Sequence, residues 1–442
     1  MLHMKRRALF FSCLLALTCT GLALAALDRF VAWTDLGYRA ARARPDDDRR
    51  LVRAEFDVRV VTNHLGFREP RLPSPKPAGV ARIVALGDSF TQGFGVDESA
   101  AYPRQLEARL AHADPSRRVE VMNLGVPGTS PRDYLGHLRD PGLAYAPDVV
   151  LVGVMANDVQ DVWIQRRCGV QFSSDVLREV QRDVAAPRPL WRRAPSLLLP
   201  ALYPFVWERV DALRTALRGA ATPRVAIADG GPTHERTAVV PPERWRAVVH
   251  ELGERYGRGT ETDRALDGLA AVDAAVIAPV ATGAVPLDSD AGLDGYLRLL
   301  AVVDPRLFAD AVLLPASYDD AWRATASYLA SIVRVAERAG SRTVIVYIPA
   351  IHQVTAAARP AIERYGFAWD DRTLVDTTFP DRLRAFGAAH DVPVVDLLPV
   401  FRAHADRPLY FTTDGHWTAA GHALAADTLG TAVAPLLPGR TS

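Results

Sequence analysis

Cysteine is scarce: there are three in 442 residues, and two of them, Cys13 and Cys19, lie in the N-terminal apolar stretch. The remaining Cys168 cannot by itself build a disulfide framework, a thiolate zinc cluster or a cysteine–histidine nucleophile. An excess of charge of either sign is missing too, with 52 Lys and Arg against 51 Asp and Glu. No global field therefore draws the chain to nucleic acid or to an anionic membrane surface. The basic residues are almost all arginines scattered among alanines, which argues against a dedicated binding patch. Internal repeats and low-complexity tracts are absent. The apolar stretch Ser196–Trp207 is short and broken by Pro200 and Pro204. It reads as a core or interface helix and not as a bilayer span.

What is present is ordinary globular composition, 49% hydrophobic and 23% charged, in a chain long enough for several domains or one elaborated domain. Lys5, Arg6 and Arg7 precede an uncharged run from Ala8 to Leu27. That layout is an export signal, either cleaved at Ala23-Leu24-Ala25 or kept as a membrane anchor. Both outcomes leave the basic flank inside and place the rest of the chain outside the cytoplasm, in the periplasm or envelope or secreted. Residues 28–80 read as an extension. It holds a charged helix-like stretch, an alternating strand Phe56–Val61, a turn at Thr62–Gly66, and a stiff linker at Leu72–Pro77.

From Ala81 onward, short apolar runs alternate with helical ones. Candidate strands are Ile83–Leu86, Val119–Met122, Val149–Val152, Thr343–Ile348 and Val392–Leu397. Continuous runs rich in β-branched residues, interleaved with helices, predict an α/β fold with a central parallel sheet covered on both faces. The chain thus divides into a first core half at 81–163, a long helical insertion or cap at 164–340, and a second core half at 341–442. Within the insertion, helices are expected near Ser173–Val184, Pro242–Tyr256, Gly292–Val303 and Ser317–Ala339.

Polar motifs fall where the first three strands end. In a parallel α/β sheet, reactive groups and ligands gather at the carboxyl ends of strands. The first strand runs into Gly87-Asp88-Ser89, placing a serine ahead of a helix with its own N–H directed at a developing oxyanion. The second ends in Asn123-Leu124-Gly125-Val126-Pro127-Gly128, where glycine lets the backbone approach a ligand and adds a second N–H donor. The third leads to Asn157, a neutral amide that can donate without repelling negative charge. Near the C-terminus, Asp414-Gly415-His416 supplies a base for a serine hydroxyl and a carboxylate to orient it. Taken singly, each motif is a common turn or cap. Their order along the chain is what carries the argument.

Together these residues resemble the SGNH hydrolase superfamily, the GDSL-like esterases, over about residues 81–163 and 341–437. The resemblance implies a flavodoxin-like three-layer sandwich and acyl transfer through a covalent acyl-enzyme. In it Ser89 is the nucleophile, His416 the base and Asp414 its orienting acid. Ser89, Gly128 and Asn157 form the oxyanion hole, and neither metal nor cofactor is needed. Gly128 is preferred to Gly125 because it lies five residues after Asn123. The spacing Asp-x-His departs from the family's commoner Asp-x-x-His. Thr62–Arg68 looks like a lead-in found in exported members and receives no chemistry here.

The expected function is a serine esterase acting on acyl, above all acetyl, esters, with an acylated polysaccharide of the envelope or a small acyl ester as substrate. Two alternatives stay open: an O-acyltransferase using the same residues, and a non-catalytic glycan-binding relative. The Gly-x-Ser-x-Gly elbow of ordinary lipases is absent around Ser89. Asp288, Asp290 and Asp294 have partly calcium-like spacing but read as helix capping. His352 and His422 read as structural.

Overall fold

In the computed structural model, residues 2–34, 38–168, 172–186, 240–287 and 289–438 are described, with positions 170, 198, 199, 202, 206, 209 and 210 between them. Eight of the twelve residues of Ser196–Trp207 therefore lie outside the described residues. The chain divides into two compact units, one of residues 1–39 and 186–225, the other of 40–185 and 226–442. The first unit carries α1 (Leu2–Thr34), in which the N-terminal apolar run is helical throughout. Within it, Asp28 Oδ1 accepts from Leu202 N at 2.7 Å. Among the described residues, no helix is long and apolar enough to cross a membrane.

The second unit begins with a hairpin of β1 (Asp48–Val52) and β2 (Asp57–Val61), paired antiparallel. A charged helix was expected before Phe56. The charges instead serve a ladder, in which Arg50 pairs with Asp57 and Arg59 with Asp48 across the strands. The alternation of β2 buries Val58 and Val60 beside Phe56.

The main sheet contains β3 (Val80–Gly87), β4 (Arg118–Gly125), β5 (Val149–Met155), β6 (Arg342–Ile348) and β7 (Val394–Asp396), all parallel, in the order β4-β3-β5-β6-β7. Counted along the chain this is 2-1-3-4-5, the flavodoxin-like winding, whose ligands bind beyond the strand ends at the point where the order reverses. Every residue of β3 is buried, as expected of a central strand covered on both faces. Gly87 lies opposite Gly125, and Leu86 opposite both Leu124 and Val152, so three strands end nearly level.

Short helices follow these ends: α2 (Ser89–Gln92), then α3 (Tyr102–Ala113), α4 (Pro131–Arg139) and α5 (Asn157–Cys168). Gly125 is dictated by packing, because a Cβ there would sit 2.3 Å from the Gln92 backbone nitrogen. Any side chain at that position would push α2, and Ser89 with it, off the sheet.

Between α5 and β6 the chain forms α6 (Ser173–Ala185), α7 (Trp245–Arg255), α8 (Gly259–Asp267), α9 (Ala271–Ala281), α10 (Asp290–Val303), α11 (Leu307–Leu313) and α12 (Asp319–Arg338). Several of these helices share a separate apolar cluster that includes Val176, Val180, Val248, Leu252, Ile277 and Leu299. The helix α12 differs. Its Leu329, Ile332, Val333 and Ala336 belong to the core of the sheet, beside α4 and α5. Three helices, α8, α9 and α11, were not expected. The first two are short or carry an internal proline, Pro279, which masks the helical period. The cap of α10 is Ser289, which accepts from Gly292 N at 3.0 Å, and not one of the aspartates. Asp290 pairs with Arg53 at 3.1 Å and Asp294 with Arg298 at 3.1 Å. Asp288 lies outside the described residues.

Candidate active site

The carboxyl end of β3 turns directly into α2 because Asp88 caps it: its carboxylate accepts from Phe90 N at 2.9 Å. Ser89 is the first residue of α2, a position whose N–H has no intrahelical acceptor. Among the described residues neither Ser89 N nor Gly128 N donates to a protein group. Gly128 is exposed and held at φ +72°, in the left-handed region that favours glycine.

A second segment meets Ser89 from the far end of the chain. Residues 411–416 form a closed loop, with Phe411 N donating to His416 O at 2.8 Å and Gly415 N to Phe411 O at 2.9 Å. Gly415, at φ +85°, allows the reversal that lets Asp414 and His416 face one another across a single residue. His416 Nδ1 lies 2.5 Å from Asp414 Oδ1, and His416 Nε2 lies 2.7 Å from Ser89 Oγ. With the Nδ1 proton donated to the carboxylate, the Nε2 lone pair is free to accept the serine hydroxyl. The imidazole lies between Phe90 and Phe94, whose ring centroids are 4.8 and 4.6 Å away. Burial opposes a charged imidazole, but the Asp414 carboxylate outweighs it and raises the His416 pKa above its usual value. The Asp414 carboxyl is lowered: burial pushes it up, and the neighbouring His416 and the Arg53 charge more than offset that.

Asn157 begins α5, two residues past the end of β5. Its Nδ2 donates to Asp161 Oδ2 at 3.1 Å, one turn along the same helix, and the same side chain also hydrogen-bonds the Asp88 carboxylate. The buried Asn157 Oδ1 has no hydrogen-bond partner among the described residues. Burial pushes the Asp88 carboxyl up to about 6, against the opposing bond from Phe90 N, the His416 charge and the bond from the Asn157 side chain. The buried Asp158 is held by Met155 N at 2.9 Å and by the Tyr134 hydroxyl at 2.8 Å. Burial and the Asp88 charge push its carboxyl well up.

Three other groups at the site escaped the sequence reading. Glu55, in the turn between β1 and β2, reaches the loop that carries Asp414. Arg53 in the same turn contributes charge near Asp414. Arg68 is almost fully buried and donates to Gly93 O at 2.7 Å, Val96 O at 2.8 Å and Arg59 O at 2.9 Å. The motif Thr62–Arg68 was a usable signal for Arg68. Nothing in sequence marked Glu55, which lies just before the strand expected at Phe56–Val61, in the stretch that reads as a charged helix.

The remaining candidates are structural. His352 is buried, with Nε2 3.1 Å from Phe308 O. His422 accepts from Tyr102 N at 3.2 Å and is buried on α13 (Ala419–Val433). Cys168 is half-buried and unpaired, and burial pushes its thiol up to about 11.

Residues 85–257 match the GDSL-like lipase/acylhydrolase family, and residues 304–441 match the SGNH hydrolase-like domain of the acetyltransferase AlgX. The first span holds Ser89, Gly128 and Asn157, and the second Asp414 and His416. An acetylxylan esterase of Xylanibacter ruminicola is 28% identical over 127 residues, which are 27% of this chain and 24% of that protein. The chain thus matches about a quarter of that relative's length. Among solved structures, an acetyl xylan esterase, AlAXEase, aligns over 80% of this chain and 99% of its own, at 12% identity and a TM-score of 0.34. An acetylxylan esterase from Geobacillus stearothermophilus aligns over 79% and 92%, at 12% identity and a TM-score of 0.32.

Proposed function

Because this chain is an SGNH (GDSL-like) hydrolase, we propose that it is a serine esterase which cleaves acyl, above all acetyl, esters through an acyl-enzyme on Ser89. His416 Nε2 takes the Ser89 proton as Oγ attacks the ester carbonyl. Ser89 N, Gly128 N and the Asn157 amide receive the oxyanion. The imidazolium then returns its proton to the departing alcohol, and water activated by the same base releases the acid. The observation that carries this reading is the unbroken hydrogen-bonded line Ser89–His416–Asp414. No group in it comes from residues 164–340, and the helices of that region that share their own apolar cluster, unlike α12, serve substrate selection.

The curated relative is named for acetylxylan and the C-terminal match for an acetyltransferase, so both names concern acetyl groups. An acetylated polysaccharide is the preferred substrate. The basic and apolar N-terminus supports a place for this reaction outside the cytoplasm. The acetyltransferase match over residues 304–441 also favours a second reading, in which a sugar hydroxyl replaces water as acceptor.

Turnover of a small acetyl ester, with and without an oligosaccharide acceptor, tests both readings. Free acetate as the product supports the esterase, and acetylated acceptor supports the transferase. Absence of any turnover contradicts both. The rate is also expected to rise with pH. The base must be neutral, and Asp414 raises the His416 pKa, so the imidazole is protonated and inactive at low pH. The inflection of kcat belongs above that of an ordinary histidine. A rate that falls with pH across that range contradicts a neutral imidazole base.

A further inference from the structure

The acid–base loop is held by a residue more than 350 positions away. Glu55 Oε1 accepts from Thr412 N at 2.7 Å and from the Thr412 hydroxyl at 2.9 Å. Glu55 Oε2 accepts from Thr413 N and from Asp414 N, both at 2.9 Å. Three successive backbone N–H groups thus converge on one carboxylate, an anion-binding nest filled from within the chain. Thr412 and Thr413 are exposed, so water could satisfy their N–H groups equally well. Satisfying buried donors therefore does not explain Glu55. Its bonds fix the conformation of an exposed loop that has a left-handed glycine, Gly415, at its tip.

The hairpin grips the same loop with a ring as well. Phe56, next to Glu55, lies 5.1 Å from the Phe411 ring and 5.6 Å from that of Phe94, just beyond the Ser89 helix. Arg68 completes the connection, joining Arg59 O of β2 to Gly93 O and Val96 O behind α2. One strut touches both halves of the site. From this geometry we infer that Glu55 is a positioning residue, which holds Asp414 and His416 in register with Ser89. The inference rests on the reading of Ser89 and His416 given above.

The rate at which a fluorophosphonate labels Ser89 tests it without needing the natural substrate, and kcat and KM on a small acetyl ester complete it. Glu55→Ala is expected to slow labelling and lower kcat about 10–100-fold, the scale of a small misplacement of catalytic groups, with KM nearly unchanged. Glu55→Gln keeps one accepting oxygen and should lie between Glu55→Ala and the parent. Added formate, a carboxylate small enough to enter the emptied nest, should partly restore Glu55→Ala and leave the parent unaffected. Asp57→Ala removes an exposed cross-strand pair of the same hairpin and should label at the parent rate. Parent-like labelling and kcat in both Glu55 variants overturns the inference. So does a fall of equal size in Asp57→Ala, which makes the effect one of hairpin stability. If Glu55→Ala does not fold, an unaltered Glu55→Gln still overturns it. Failure of the parent itself to label at Ser89 instead overturns the underlying reading.

Discussion

Asp414→Asn is expected to lower kcat by as much as ~10⁴-fold, close to 5.5 kcal/mol of transition-state stabilisation. The carboxylate lies 2.5 Å from His416 Nδ1, and as an acceptor only it keeps the proton on that nitrogen. An asparagine can turn its NH2 toward the ring. That stabilises the tautomer with the proton on Nε2, where it faces Ser89 Oγ 2.7 Å away and can no longer remove its proton. The same change removes the charge that raises the His416 pKa, so the residual activity should persist to lower pH. Near-normal kcat in Asp414→Asn removes Asp414 from the mechanism. His416→Ala should be at least as damaging, and the double variant should add little, because residues acting as a unit are not additive.

Asn157→Ala should lower kcat by about 10²–10³-fold with little change in KM. In the free protein one N–H of the amide is engaged with Asp161 Oδ2 at 3.1 Å. That bond orients the amide, whose donation strengthens toward charge that appears only in the transition state. Asp161→Ala should therefore cost less than Asn157→Ala, since it loosens the donor without deleting it. A change confined to KM would make Asn157 a ground-state binding residue.

The sheet was legible because its strands are short runs of β-branched residues buried on both faces, and Ile83–Leu86 and Val149–Val152 have no other plausible use in a chain of this pattern. Their ends, and so Ser89 and Asn157, came with them. Of the hairpin, the alternation of Phe56–Val61 marks the second strand, but the first strand was not legible. Asp48, Arg49 and Arg50 look like a solvated helix face until the partners Asp57 and Arg59 are known, and pairing is not a local property. Glu55 was lost with it, because its role depends on a loop almost 360 residues away. The helices of residues 164–340 were read where an amphipathic stripe is long, as in α12, and missed where Pro279 or a short length breaks the period. The placement of α12 in the sheet's core was also not foreseen, since its stripe reveals a buried face without naming what covers it.

The central claim is that Ser89 is a nucleophile activated by His416, and fluorophosphonate labelling followed by intact mass and peptide mapping tests it most directly. The protein should take up one phosphonyl group, on Ser89. Ser89→Ala should take up none, and His416→Ala should label far more slowly. Stoichiometric labelling at another residue, or esterase turnover that survives in Ser89→Ala, contradicts the account.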